Sequence, residues 1–412
     1  MKIRERGAPF SWFAGDWPLE NHFYRPVSTL FFEFDNALYR DNPAGYGLTN
    51  ALLVVAGIAA LYALLRRFFP TAFAWAGAAL FALWTAAYFP AFDLLVYALM
   101  VIVIGLSVRA GRASAGLLVA LALWAFLPEL QGVQQIFSRT VAWLPGRTAT
   151  TCGLFALLAL GSYASSIVLG AEPREPRAVL PTDPPATRNT VISGQRPALA
   201  RVLFGLSLLW TALSLGSYEQ GVMVPALIFC VGLLLVPTYR IRFGAQSLHW
   251  GLLVGYLVLR AQIVPVAPSS YQKQVIRFGP GVIQSLLDYV GMRTADLQSG
   301  LIAASTGIES LLLPHVWQAI VALAAILALW LVVDAKSRRS MAIWLAMSLL
   351  AFLPMAFLKH FEHYHYLPMA LRTGFVLSAT IGLAGAFRRA ASPREVPAPP
   401  RSRPAPGSLP HL

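Results

Sequence analysis

Apolar residues in this chain are gathered into uninterrupted runs of about 16 to 22, divided by short breaks rich in Arg, Pro and Gly. This spacing limits the fold sharply. A helix rises 1.5 Å per residue, so about 20 apolar residues are needed to cross ~30 Å of hydrocarbon. Only 12% of residues are charged against 57% hydrophobic, whereas a water-soluble domain carries about a quarter charged residues. Alternating apolar and polar stretches of about ten residues, the pattern of a membrane β-barrel, are not the pattern here. The runs predict an all-α polytopic membrane protein with spans near 46–66, 71–90, 92–108, 115–130, 149–170, 202–217, 220–237, 248–264, 315–333, 341–358 and 365–387. That is about eleven transmembrane helices.

The division of the chain follows from the same runs. Residues 1–45 form a juxtamembrane segment and 46–390 a transmembrane domain. The Pro-rich polar stretches 172–200 and 391–412 read as a disordered loop and a disordered tail. The loop 265–314 mixes Tyr271 and Tyr289 with Gly279, Pro280 and Gly281, a composition that predicts short helices on the membrane surface. Cys152 and Cys230 each fall inside an apolar run and read as buried small hydrophobes.

The formal charge of +14 invites comparison with nucleic-acid binders, but those present a basic face with interleaved aromatics on a soluble module. No such module is visible, so nucleic acid is excluded as a partner. The basic residues lie mainly between the apolar runs, where they orient the chain and meet anionic lipid headgroups. With residue 45 placed outside, alternating spans collect Arg66, Arg67, Arg109, Arg112, Arg240, Arg242, Lys336, Arg338, Arg339, Arg388 and Arg389 on one side. The predicted topology has an extracytoplasmic N-terminal segment and a cytoplasmic C-terminus. Nothing in residues 1–45 reads as an anchor, and the odd number of spans predicts a further helix ahead of residue 1.

A charge in or near hydrocarbon costs about 2.5–3.5 kcal/mol on insertion scales, so each one retained there needs a reason. The outer side holds Asp16, Glu20, His22, Arg25, Glu33, Asp35, Asp93, Glu129, Arg139, Arg147, Glu219, Arg260, Lys359, His360, Glu362 and His363. Arginines that grip phosphate and carboxylates that accept a proton are what a site moving the headgroup of a phosphate-bearing lipid requires. Plainer readings stand beside this one. Arg25, Arg147 and Arg260 suit interfacial arginines that snorkel to the headgroups. Glu219, in a tight turn between spans, is placed to pair with an arginine or cap the next helix, and Asp16 to act as a loop aspartate or N-cap. Asp93 reads as a helix cap. His360, His363 and His365 stand among Tyr364 and Tyr366, which favours an aromatic interface belt, and no metal site is assigned.

Five segments in order carry a resemblance to a known family: His22-Phe23-Tyr24-Arg25-Pro26 with Asn42-Pro43-Ala44-Gly45-Tyr46, then Ala142-Trp143-Leu144-Pro145-Gly146-Arg147, Ser217-Tyr218-Glu219, Tyr256-Leu257-Val258-Leu259-Arg260 and Glu362-His363-Tyr364-His365-Tyr366-Leu367-Pro368. Over residues 10–385 the chain resembles GT-C glycosyltransferases, in particular the transmembrane tetratricopeptide-type O-mannosyltransferases and their bacterial relatives. Tyr218 stands where the family pattern has Lys, Thr49 where it has His, and His363 where it has Arg. No tetratricopeptide repeat follows the last span, which fits the bacterial relatives.

The resemblance implies a bacterial inner-membrane enzyme that transfers a sugar from a polyprenyl-phosphate donor to an unidentified extracytoplasmic acceptor, without a cofactor. It implies Arg25, Arg147 and Arg260 for phosphate, His363 and Tyr364 for the headgroup, and Glu219 as a further site residue. The family's acidic pair lies upstream of the Tyr-Arg-Pro segment, which leaves Asp16 and Glu20 as the catalytic candidates. A lipid-linked saccharide transporter or an inactive GT-C relative is the alternative.

Overall fold

The computed structural model describes residues 9–16, 21–86, 144–170, 196–235, 243–265, 267–276, 279–291, 329–359 and 361–391, with residues 323, 326 and 327. Among the described residues the regular structure is helical. The α-helices are α1 Pro26–Tyr39, α2 Pro43–Leu65, α3 Thr71–Ala86, α4 Arg147–Gly170, α5 Arg196–Leu215, α6 Val224–Leu235, α7 Phe243–Ile263, α8 Ser270–Val275, α9 Pro280–Gly291, α10 Ala335–Ala356 and α11 Tyr366–Ala391. Among the described residues, five stretches are long and apolar enough to cross a membrane: Pro43–Leu65, Leu144–Gly170, Pro197–Leu215, Ala335–Ala356 and His363–Arg389. Thr71–Ala82 and Glu219–Leu235 are shorter apolar helices.

The helices begin where local chemistry starts them. Asn42 accepts the Ala44 N–H at 3.1 Å ahead of Pro43 at the start of α2, and Asp334 accepts the Ser337 N–H at 2.8 Å ahead of α10. Two short helices, α8 and α9, lie within 265–314; α8 carries a capping box between Ser269 and Gln272, and α9 buries Tyr289 against Phe352 of α10. The expected spans 92–108 and 115–130, most of 172–200 and 315–333, and the tail beyond 391 lie outside the described residues.

One element departs from the reading of 1–45 as a plain segment. Helix α1 buries Pro26, Val27, Ser28, Thr29, Phe32 and Asp35 while Phe34 and Leu38 stay exposed. It packs on α2 and α4, so it belongs to the bundle. Its 14 residues include Glu33 and Asp35, so no apolar run of spanning length marks it in the sequence.

Close helix approach depends on glycine at a few positions. Tyr366 is fully buried between α2 and α4, and a Cβ at Gly57 would collide with its hydroxyl. A Cβ at Gly153 would stand 2.7 Å from the same ring. Trp344 is held in the same way between Phe68, Phe69 and Gly374.

At one end of the bundle the starts of α2 and α4 meet, Gln220 past the end of α5 reaches the Tyr364 carbonyl ahead of α11, and Tyr256 of α7 reaches the Tyr24 carbonyl ahead of α1. Arg66, Arg67, Lys336, Arg338, Arg339, Arg388 and Arg389 lie toward the opposite end, where Arg389 approaches Asp334 at 3.5 Å.

Gly153→Val should overpack the Tyr366 niche and lower stability by about 1–3 kcal/mol, read as a lower thermal unfolding midpoint in detergent. The Ser337 backbone N–H, ahead of the Arg389 charge, holds the Asp334 carboxyl below its ordinary range. A depressed value contributes stability at neutral pH that is lost as pH falls through that lowered range. Hydrogen exchange at the first turn of α10, corrected for intrinsic rates, should therefore lose protection in acid, and Asp334→Ala should show the same loss at neutral pH.

Candidate functional site

The sequence around residue 25 concentrates aromatic and cationic side chains ahead of a proline, and Pro26 starts α1 directly after Arg25. Far along the chain, α5 ends at Leu215 and Gly216 lets the backbone turn against Val27, whose N–H donates to the Gly216 carbonyl at 2.9 Å. Ser28 adds a hydroxyl bond to the Ser217 carbonyl at 2.9 Å. These bonds bring Glu219 onto Arg25. Arg25 Nε donates to both carboxylate oxygens at 3.0 and 3.1 Å, and Nη2 donates to Oε2 at 2.6 Å.

Phe23 and Tyr218 lie against the guanidinium, 4.2 and 4.4 Å from Cζ to the ring centroids. Burial works against the Arg25 charge, but the Glu219 carboxylate, with smaller contributions from Tyr218 and Tyr364, raises the guanidinium above its ordinary value. Burial also pushes the Tyr218 hydroxyl well above the ordinary phenol range, so it keeps its proton. It meets His363 Nε2 at 3.4 Å. Tyr364 closes the group, its ring 4.5 Å from His363 and 6.1 Å from Tyr218. Gln220 fixes the turn by donating to the Tyr364 carbonyl at 2.7 Å and the Ala351 carbonyl at 3.3 Å.

Beside this cluster lies an open, mainly apolar groove of about 610 Å³ between α5 and α7. Tyr24, Pro26 and Val27, the immediate neighbours of Arg25, line it together with Leu208 and Ala212 of α5 and Gly251, Gly255, Tyr256 and Leu259 of α7. A Cβ added at Gly251 or Gly255 would meet nothing within 4 Å. Arg260 stands in the last turn of α7, and Tyr256 lies within electrostatic reach of Arg25, Arg260 and Glu219. The groove thus runs alongside a cationic, aromatic cluster, a pairing suited to an anionic head on an apolar tail.

Four of the residues singled out in the sequence converge here, Arg25, Glu219, His363 and Tyr364, while Arg260 stands one turn beyond Tyr256 on α7. Of the two readings of Glu219, pairing with an arginine is the one observed. Arg147 is a correction, because its side chain has no exposure and its donors are committed elsewhere. It pairs with Asp35 at 2.6 Å and donates to Asn50 Oδ1 at 2.5 Å, the Tyr46 carbonyl at 3.0 Å and the Phe31 carbonyl at 3.4 Å. Asp35 sits about 15 Å along α1 from Arg25, beyond the reach of one shared phosphate. Thr49, where the family pattern has His, donates to Asp35 Oδ1 at 2.7 Å and completes this second cluster.

Asp16 accepts the backbone N–H of His22 at 3.0 Å, steadying a residue with φ of 61°. His22 Nδ1 in turn meets the Ala267 carbonyl at 2.8 Å, tying the N-terminal segment to the loop before α8. Glu20, Asp93, Glu129, Arg139 and His360 lie outside the described residues. Phe23, Tyr218 and Tyr256 were not singled out as site residues. Their sequence signals are the aromatic run before Arg25, the departure from Lys at 218 and the tyrosine that opens the Tyr256–Arg260 segment.

No family model, no curated protein and no solved structure matches the chain.

Arg147→Met should leave Asp35 buried and uncompensated, costing about 3–5 kcal/mol. The double variant Asp35→Leu/Arg147→Met should recover most of that loss, and thermal unfolding of the single and double variants measures the difference.

Proposed function

We propose that the chain is an integral membrane glycosyltransferase of GT-C type that transfers a sugar from a polyprenyl-phosphate donor to an extracytoplasmic acceptor. The observation that carries this reading is the continuity of Arg25 with the apolar groove, since Tyr24 and Pro26 on either side of the arginine both line it. A polyprenyl chain lies in the groove and its phosphate is drawn to Arg25, with Arg260 at the same end. The sequence resemblance supplies the reaction. In this reading about eleven helices span a bacterial inner membrane, with the site end outside and the arginine-rich end in the cytoplasm.

The acceptor hydroxyl oxygen attacks the anomeric carbon of the donor sugar from the face opposite the phosphate. The bond from that carbon to the phosphate oxygen breaks, its electron pair leaves with the polyprenyl phosphate, and the hydroxyl proton passes to a carboxylate. Displacement inverts the anomeric centre. Arg25 stabilises the charge that builds on the leaving phosphate. Asp16 and Glu20 are the carboxylates this reading assigns to proton transfer, while His363 and Tyr364 face the headgroup. Arg147 drops out of the phosphate set and holds the bundle instead.

Purified protein in liposomes, supplied with a radiolabelled polyprenyl-phosphate hexose and a membrane-extract acceptor, tests the reading. Arg25→Ala should reduce transfer by at least about 100-fold with its unfolding transition intact. Gly255→Leu, at a position where an added Cβ meets nothing within 4 Å, should project into the groove and weaken long-chain donors while sparing stability. Labelled donor that crosses the liposome membrane unconsumed would instead favour a transporter, and unchanged transfer by Arg25→Ala would remove Arg25 from the mechanism.

A further inference from the structure

Arg25 already holds an oxyanion. Its Nε and Nη2 form a fork on Glu219 with bonds of 2.6 to 3.1 Å, which is the edge a phosphate would use. Phe23 and Tyr218 crowd the rest of the guanidinium. An incoming phosphate therefore meets an occupied site.

The surroundings allow the carboxylate to leave. Glu219 is the first residue of the short turn Glu219–Met223, and its side chain keeps 20% of its exposure. The backbone on either side is pinned independently, by Ser28 on the Ser217 carbonyl and by Gln220 on the carbonyls of Ala351 and Tyr364. The carboxylate can swing out by side-chain rotation while the turn stays in place. Arg25, only 10% exposed, would be costly to leave without an anion. Exchange of one singly charged oxyanion for another avoids that cost.

We propose that Glu219 is a carboxylate latch that the phosphate of a lipid ligand displaces from Arg25, so that it sets the affinity and anion selectivity of the site. The inference rests on the reading of Arg25 as the phosphate ligand. A neutral lipid cannot open the latch, because it offers no replacement charge. An anionic phosphate ester with two oxygens on one edge can. Glu219 is on this account a positioning residue and a competitor, and its removal strengthens binding. A carboxylate that merely oriented Arg25 would do the opposite.

The test measures binding of a polyprenyl phosphate to full-length protein in detergent micelles by microscale thermophoresis, with inorganic phosphate as a second arm. Glu219→Gln should bind polyprenyl phosphate about tenfold more tightly than the native protein. Inorganic phosphate, lacking the tail, should shift in the same direction from a weaker starting affinity. Equal or weaker binding of polyprenyl phosphate by a folded Glu219→Gln overturns the latch, as does a gain confined to inorganic phosphate. Should Glu219→Gln not fold, Glu219→Asp decides: tighter binding than native supports exchange, and native or weaker binding overturns it. Native protein that binds neither ligand overturns the phosphate reading of Arg25 together with the latch. Native binding without the expected gain overturns the latch alone.

Discussion

A single charge pair with no exposure to solvent sets the geometry of the site end. Arg147 and Asp35 meet at 2.6 Å, and burying two ions carries a desolvation penalty of several kcal/mol for each. Asn50, Thr49 and two backbone carbonyls supply the further hydrogen bonds that make such burial tolerable. The partners come from α1, α2 and the start of α4, so the pair joins three elements through directional bonds that an apolar contact would not provide. Because α1 carries Arg25 at its other end, the same clamp decides where that arginine stands.

The two arginines show how environment separates residues of one kind. Arg147 has no exposed surface and every part of its guanidinium engaged inside the bundle. Arg25 pairs with the Glu219 carboxylate, has ring neighbours on its faces and keeps a small window to the outside. Both stand near the starts of helices and both follow short turn motifs in sequence. What distinguishes them is the partner each finds across the fold, at 35 for one and at 219 for the other.

That distinction marks the limit of what the sequence disclosed. Run length alone located the helices beginning near 43, 144, 197, 335 and 363, because crossing hydrocarbon imposes a minimum number of apolar residues. Helix α1 escaped because it is short and carries Glu33 and Asp35, so its contribution to the bundle has no run-length signature. The Arg25–Glu219 contact spans 194 residues, and no local pattern encodes it. The tight turn at Glu219 still announced a residue in need of a partner, since a carboxylate near a helix start must be paired, solvated or used as a cap. The aromatic walls at Phe23 and Tyr218 carry no sign in the sequence that they face one guanidinium. Their role follows from α1 and the end of α5 arriving at the same place.

The groove between α5 and α7 is open, with Leu248 and Leu259 in its lining both substantially exposed. In a bundle immersed in lipid, such an opening faces sideways into the bilayer. A ligand would then arrive by lateral diffusion within a leaflet, and its effective concentration would be its mole fraction among lipids. Diluting the protein in water would leave its occupancy unchanged, whereas diluting the bilayer with inert lipid would empty it.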